Sequence, residues 1–527
     1  MRAASAASGA SSSAFAGLRS RPRPLAIALL LAAIGGALHP FGLAPFDLWW
    51  LMLPAIALLL DALWWQRPGR AFLIGWLAGT ARYGVGTSWI YVSIHEYGNA
   101  PPLLAGTMVA LFSLFMGLFP ALMALGFAAL RVRTPAAAVV AFAACWVLLE
   151  WTLTWLLTGF PWLFAGYALL DTPARGLAPV TGVFGLTLLM VLTGGLLAAS
   201  ALRRRPDRPL ALLGGTVAAL WILLAALQDR AWTRPDGPEL RVALVQGAIP
   251  QELKWLRESR QQIVDRYLSL TAPHWGTDLI LWPEAALTTF VAESGVLLGE
   301  LDRQADARGT ALVTGIPDYE RDPAAAGSAV LYNSALALGA GSGAYRKQRL
   351  VPFGEYVPLE GLLRGLIEFF DLPMSRAGSG PPGQPSLRIG ARSAAMAICY
   401  EIAYPDLVRD LARDTSLLLT ISNDTWFGDS IGPEQHLQIA RMRALELGRP
   451  LARATNDGVT ALVDARGRLA ARLARFEPGV LTGSLQPRTG ATPFATTGSW
   501  PVVVLAVLLL IVASTLPPRL ARRRDSS

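Results

Sequence analysis

Eight apolar stretches are strung along this chain, and arginine marks every second connection between them. The stretches cover roughly 25–38, 43–63, 71–94, 103–130, 136–157, 174–202, 210–227 and 500–516. Most are long enough to cross ~30 Å of hydrocarbon as helices. Arg67 and Arg70, then Arg131 and Arg133, then Arg203, Arg204, Arg205 and Arg208 fall in alternate loops, whereas 39–42, 95–102 and 158–173 hold no lysine or arginine. Short loops rich in basic residues stay on the cytoplasmic side, so the pattern predicts an inside N-terminus and an outside end for the seventh span. The eighth span then returns Arg519, Arg522, Arg523 and Arg524 to the inside. The polar segment between spans seven and eight is expected on the outer face of the membrane, the periplasm in a Gram-negative cell.

Composition agrees with a membrane protein. Hydrophobic residues make up 53% and charged residues 16% of the 527 positions, which excludes disorder. Two cysteines exclude a disulfide scaffold, and 17 tryptophans suit lipid–water interfaces. The net charge of +9 does not point to nucleic acid, because the basic residues flank the spans. Of the 46 basic residues only Lys254 and Lys347 are lysine. Where arginine meets every ordinary need for charge, a surviving lysine is a candidate for a compact, deprotonatable ammonium. Arg82 and Glu150 fall inside apolar stretches. They either meet a neighbouring helix or a lipid headgroup, or snorkel to the interface.

The expected division is a disordered cytoplasmic tail (1–24), a membrane domain of about seven spans (25–228), an extracytoplasmic folded domain (229–497), a last transmembrane helix (498–517) and a basic cytoplasmic tail (518–527). The first stretch also has the build of a signal-peptide core, but the next begins directly after His39-Pro40, which favours an uncleaved anchor. Within 229–497, strand patterns at 240–246, 278–282, 310–314, 330–338, 393–399, 416–421, 451–455, 460–464 and 479–485 alternate with helical patterns at 252–270, 295–307, 402–411 and 434–447. That alternation predicts α/β layers. The Gly/Pro/Ser-rich stretch 375–386 reads as a flexible loop outside the core.

Cys399 ends an apolar strand and precedes a helical pattern, a turn that exposes a side chain and favours thiolate. Cys145 lies in a span and cannot pair with it, so Cys399 is either a nucleophile or a small buried hydrophobe. A nucleophilic cysteine needs a base. Neither His274 nor His436 sits at a strand end, and His39 and His95 belong to the membrane region, which argues against a papain-like pair. Carboxylates offer the alternative: Glu284 follows the strand DLILW, Lys347 follows a strand ending at Tyr345, and Glu355 comes eight residues later. Ligand sites in α/β sheets collect at such strand ends.

Several motifs now carry a resemblance: WPEAA (282–286), YRKQRLVPFGEYVP (345–358), ICYE (398–401) and LTISNDTWFGDSIGPEQH (419–436), with VQGAIPQELKW (245–255) and ARMRALELGRPLARATNDGVTA (440–461). Together with the membrane layout they resemble the nitrilase superfamily, and within it the bacterial apolipoprotein N-acyltransferases. The resemblance implies a multi-span helical bundle joined to a nitrilase-like αββα sandwich. It implies a catalytic triad of Glu284, Lys347 and Cys399, with Glu355, Tyr400 and Glu401 as supporting residues. The implied reaction moves an acyl chain from a phospholipid to the α-amine of a diacylglyceryl-cysteine at a lipoprotein's N-terminus, through a thioester on Cys399. No cofactor or metal is called for, nor more than a monomer. Trp255, Phe353, Trp426 and Phe427 lie near the motif loops, where they line an acyl groove or simply fill the domain core. The segment 356–380 is either a lid that admits lipids or an inert loop. A membrane-bound amidase or other hydrolase shares the triad, and a transporter or receptor with an external domain is the non-enzymatic rival. A bilayer-facing layout suits two lipid substrates better than a small polar one.

Overall fold

The computed structural model describes residues 22–132, 134–202, 208–321, 329–357 and 377–515. Nearly all of the expected N-terminal tail, Arg133, Arg203, Arg204, Arg205, most of the 356–380 segment and the basic C-terminal tail lie outside them. The first half is a helical bundle: α1 (Leu25–Leu38), α2 (Met52–Leu63), α3 (Pro68–Gly86), α4 (Pro102–Ala129), α5 (Pro135–Thr152), α6 (Ala178–Leu202) and α7 (Arg208–Leu227). Among the described residues, five helical segments are long and apolar enough to cross a membrane: 25–42, 102–129, 135–152, 173–201 and 208–227.

The expected span 71–94 is corrected. Its helix α3 ends at Gly86, and a short helix and a π-turn follow to Tyr97. Glycine is the reason α3 holds its place despite weak apolarity. A Cβ at Gly75 would sit 2.5 Å from Pro120 O, and one at Gly79 2.9 Å from Gly117 Cα, so the backbones of α3 and α4 touch closely. Arg82 and Glu150 do not snorkel. Both are buried and pair at 3.5 Å between α3 and α5. Glu150 also accepts from Trp146 Nε1 (2.9 Å), Ala165 N (2.8 Å) and Thr187 Oγ1 (2.6 Å), while Arg82 donates to Leu163 O. A buried charge pair is costly unless further hydrogen bonds support it; here they gather on the carboxylate, while Arg82 Nε has no partner.

The second half is an αββα sandwich. Its strands are β1 (Leu240–Gln246), β2 (Leu279–Leu281), β3 (Ala311–Arg321), β4 (Ala329–Gly339), β5 (Gly341–Ser342), β6 (Ala344–Arg346), β7 (Leu387–Ile389), β8 (Arg392–Ile398), β9 (Leu417–Ser422), β10 (Leu451–Thr455), β11 (Ala461–Val463), β12 (Leu469–Arg472) and β13 (Gly479–Leu485). One sheet runs β13-β1-β2-β3-β4-β6 and the other β12-β11-β10-β9-β8-β7-β5. Alternation along each strand divides the cores. Val242, Leu244, Leu279 and Leu281 meet Met396, Ile398, Leu419 and Ile421 between the sheets. Ala243, Val245, Ile280 and Trp282 face outward against α8 (Arg260–Thr271) and α9 (Gly295–Ala307). The pattern at 252–270 is therefore not one helix: it breaks at Trp255 and resumes as α8.

The other sheet's outer face is covered by α10 (Pro405–Leu411) and α11 (Gly432–Leu447), and that layer is continuous with the bundle core. The contacts come from residues in or beside the arginine-free loops: Ala44 N donates to Gln438 Oε1 (3.2 Å), Ser93 Oγ to Trp426 O (2.7 Å) and Trp162 Nε1 to Gln435 Oε1 (2.7 Å). The sandwich thus sits on the end of the bundle opposite Arg67, Arg70 and Arg131. A last helix, α12 (Trp500–Thr515), packs beside α5.

Candidate active site

Strand ends bring the chemistry together. Glu284 follows β2, Lys347 follows β6, Cys399 follows β8 and Asn423 follows β9. The Glu284 backbone turns sharply, with Ala285 at φ 47°, and presses on β3 at Gly315. A Cβ there would lie 2.5 Å from Pro283 O and 2.7 Å from Glu284 Cα, so only glycine fits.

Lys347, 1% exposed, holds the centre. Its Nζ lies 2.9 Å from Glu355 Oε1 and 3.4 Å from Glu284 Oε1. Asn333 Nδ2 bridges the same two oxygens, donating to Glu284 Oε1 at 2.6 Å and Glu355 Oε1 at 2.9 Å. The second oxygens take backbone amides: Asn423 N reaches Glu284 Oε2 at 2.7 Å, and Val351 N reaches Glu355 Oε2 at 2.8 Å. Burial alone would push the ammonium toward neutrality, but the Glu355 and Glu284 carboxylates outweigh it and hold Lys347 above its ordinary range. The loop expected to be flexible supports this lysine in its described part. Gly380 N donates to Lys347 O (2.8 Å) and Ser379 Oγ to Gln348 O (2.6 Å), because a glycine lets the backbone lie flat on β6.

Cys399 has φ 53°, a left-handed conformation that non-glycine residues rarely hold. It opens a five-residue 3-10 turn (Cys399–Ala403), and α10 begins only at Pro405. The expectation that a helix start favours thiolate is corrected: burial, then the charge of Glu284, pushes the thiol above its ordinary value despite the opposing Lys347 ammonium. A five-residue 3-10 turn offers too little aligned dipole to offset burial. Cys399 therefore rests as a thiol.

Glu401 ties the turn to the lysine strand. Its Oε1 accepts from Tyr345 OH (2.8 Å), Gln348 N (2.6 Å) and Arg349 N (3.1 Å), and its Oε2 from Ile398 N (2.8 Å). Burial pushes this carboxyl up to about 7 against those donors. Tyr400 OH donates to Gly159 O in the bundle at 3.2 Å.

Three further neighbours complete the site, of which sequence patterns point only to Lys254. Asn333 lies inside β4, Lys254 is buried with its Nζ 3.2 Å from Glu284 O, and His436 Nε2 is 3.1 Å from Cys399 O. The isolated Lys254 was visible as one of two lysines; Asn333 and His436 carried no signal of their own. The four aromatics separate. Phe427 packs edge-on against Trp89 (4.6 Å) and Trp426 lies 6.1 Å from Tyr97, both at the seam with the bundle. Trp255 is half-buried beside Lys254, and Phe353 is 39% exposed on the loop that carries Glu355.

Comparison with known proteins matches residues 241–494 to the carbon-nitrogen hydrolase family and residues 35–196 to the apolipoprotein N-acyltransferase N-terminal domain. An apolipoprotein N-acyltransferase of Azotobacter vinelandii is 48% identical over 91% of this chain and 93% of its own. One of Pseudomonas syringae pv. tomato is 46% identical over 91% of this chain and 95% of its own. One of Photobacterium profundum is 40% identical over 94% and 96%. With both halves matched and nearly the whole length shared, the chain belongs to the apolipoprotein N-acyltransferase family.

Proposed function

We propose that this protein transfers an acyl chain from a phospholipid to the free α-amine of the diacylglyceryl-cysteine of apolipoproteins, with Glu284, Lys347 and Cys399 as its catalytic residues. The observation that carries the reading is the buried Glu284–Lys347–Glu355 cluster at the strand edge that also presents the strained Cys399 turn. The Cys399 thiol gives its proton to Glu284 as sulfur bonds to the ester carbonyl carbon and the π pair moves onto oxygen. Lys347 and the Tyr400 amide hold that oxyanion. Collapse breaks the C–O bond, Glu284 returns its proton to the leaving glyceryl oxygen, and a thioester remains on Cys399. The acceptor amine then attacks the thioester, again losing a proton to Glu284, and the expelled sulfur takes that proton back. A thiol that stays protonated until the base is engaged suits this sequence, since the attack waits for a bound ester.

Glu355 and Asn333 keep Lys347 and Glu284 in register, and Glu401 holds the nucleophile turn against β6. Trp426 and Phe427 at the seam, with Trp255 and Phe353, are assigned to the acyl groove. The catalytic domain faces the periplasm in this reading, because it sits at the end of the bundle away from the arginine-bearing loops. It is tethered through α7 and α12, and its site opens toward lipid, where water that would hydrolyse the thioester is scarce. A monomer suffices.

Intact mass tests the reading. Detergent-purified protein incubated with one defined phospholipid gains one acyl chain, labile to hydroxylamine and absent from Cys399→Ala. A diacylated lipopeptide then clears the adduct and becomes acylated on its amine. An adduct that turns over only to free fatty acid assigns a hydrolase instead, and no adduct in any protein removes the thioester scheme.

A further inference from the structure

His436 belongs to α11, far from any strand end, yet the fold carries it beneath the nucleophile turn. Its Nε2 lies 3.1 Å from Cys399 O. Its Nδ1 faces Arg453 Nη2 at 3.0 Å and Asp424 Oδ1 at 3.1 Å. Arg453 Nη2 also donates to Asp424 Oδ2 (2.7 Å), and Ser422 Oγ donates to Asp424 Oδ1 (2.5 Å). All three charged or titratable members are buried. Burial and the neighbouring guanidinium keep the imidazole below its ordinary value, so it is neutral. A guanidinium can only donate and a carbonyl can only accept, so a proton on Nε2 satisfies both Arg453 and Cys399 O, whereas a proton on Nδ1 would serve Asp424 Oδ1 alone; the single ring proton is therefore placed on Nε2, facing Cys399 O.

The chemical consequence lies in the peptide unit. Cys399 C=O and Tyr400 N–H belong to one planar trans amide and point in opposite directions. Fixing the carbonyl fixes the line of the amide. That amide belongs to the first turn of a 3-10 segment, where N–H groups lack acceptors within the helix. Donation into the carbonyl also polarises the peptide and strengthens its N–H as a donor. The same bond helps hold Cys399 at φ 53°.

We propose that His436 is a positioning residue of the acyl transfer, whose hydrogen bond to the Cys399 carbonyl aims and strengthens the Tyr400 N–H that receives the oxyanion. Arg453, held in place by Asp424, fixes its tautomer. This rests on the thioester reading above and adds to it the device that sets the amide donor.

The test separates oxyanion stabilisation from thiol reactivity. The full-length protein, His436→Leu and His436→Gln are compared in two reactions of Cys399: acylation by a defined phospholipid over a range of concentrations, and alkylation by iodoacetamide. Alkylation displaces iodide from a saturated carbon and forms no oxyanion, so it reports the fold and the thiol alone. The maximal acylation rate of His436→Leu is expected to fall ~10–100-fold, in the range of a weakened oxyanion donor. The half-saturating lipid concentration and the alkylation rate stay within about threefold, and His436→Gln, which keeps an N–H donor, recovers most of the loss. Should leucine prevent folding, Cys145 and Cys399 both alkylate faster than in the native protein and the same split is read in His436→Asn, whose shorter amide does not reach the carbonyl. Unchanged acylation, or acylation and alkylation falling together, overturns the proposal. A wild-type protein that takes up no acyl chain sinks the acyltransferase reading itself, and this inference with it.

Discussion

Lys347→Met removes the cation that contacts both buried carboxylates, and its effect can be worked from the distances. At an effective dielectric constant of ~20, contacts of 2.9 and 3.4 Å correspond to attractions of roughly 6 and 5 kcal/mol. Desolvation of the ammonium offsets much of that, and removing one partner of a buried pair typically costs ~3–5 kcal/mol. For a domain of this size 1 kcal/mol shifts melting by roughly 2–4 °C, so the variant should melt roughly 6–20 °C lower. The sharper test is a double-mutant cycle with Glu355→Gln. In the wild-type background that change weakens the contact to Lys347 and lowers the melting temperature. In the Lys347→Met background it removes one of two unneutralised charges and raises it. Melting of the detergent-solubilised protein, followed by tryptophan fluorescence at one fixed scan rate, reads all four proteins. If Glu355→Gln lowers the melting temperature equally in both backgrounds, the carboxylates do not depend on Lys347 and the account of the cluster is wrong.

Four further outcomes follow from the geometry. Gly315→Ala places a methyl 2.5–2.7 Å from the backbone around Glu284, and is expected to cost ~1–3 kcal/mol while slowing Cys399 acylation more than its melting loss explains. Arg453→Met strands the buried Asp424 and should destabilise by ~3–5 kcal/mol, with Asp424→Asn restoring a large part in the double variant. Tyr400→Phe deletes the hydrogen bond to Gly159 O and should cost about 1 kcal/mol in melting without altering alkylation of Cys399. Lys254 supplies the pH dependence: burial holds its folded-state amine at about 8 against an ordinary 10.5, so between those values the unfolded chain binds more protons and wild-type stability rises with pH. Lys254→Met should therefore be the more stable protein at pH 7, by about 3 kcal/mol, and lose that advantage as pH approaches 10.5; a difference that stays constant with pH contradicts the assignment.

What the sequence made legible follows from where each residue stands. Glu284, Lys347 and Cys399 each come directly after a strand, the first two in one sheet and the third in the other, and the two stacked sheets gather those ends at one end of the sandwich. Asn333 was hidden because it lies within β4, opposite Pro317, and alternation along a strand does not say which side chain reaches the carboxylates at the strand ends. The strand pattern at 310–314 stopped short of Arg321 because Asp318, Glu320 and Arg321 are polar, although the hairpin with β4 continues through them. Strands β7 and β12, at three and four residues, are too short to show a period. The thiolate expectation failed for a different reason: burial is a property of the folded environment, and no local pattern around Cys399 reports it.

Helix α11 explains why the bundle and the sandwich form one structure. Its residues are buried nearly all round, the mark of a helix enclosed on every side rather than one that covers a sheet and faces water. One side packs on the sheet and places His436 under Cys399. The other sides reach into the bundle: Gln435 takes Trp162 Nε1 and gives Nε2 to Gly86 O (3.1 Å), and Gln438 joins Ala44 N and Asp47. Near its end Glu446, paired with Arg443 at 2.7 Å, accepts Val183 N at 2.7 Å. That amide is exposed because α6 breaks at Gly182, whose φ of 66° interrupts the helical ladder. A kink that would leave a buried donor unpaired is thus capped by a carboxylate of the folded domain. The same rigid element carries both that cap and the residue under Cys399, ~15 Å apart along its axis from Glu446 to His436. A displacement of the bundle loops would therefore reach Cys399 through packed, hydrogen-bonded side chains. Substitutions at Gln435 or Gln438 should slow acylation although neither residue belongs to the proposed triad, and unchanged rates in both would show that the seam holds the domain without setting its chemistry.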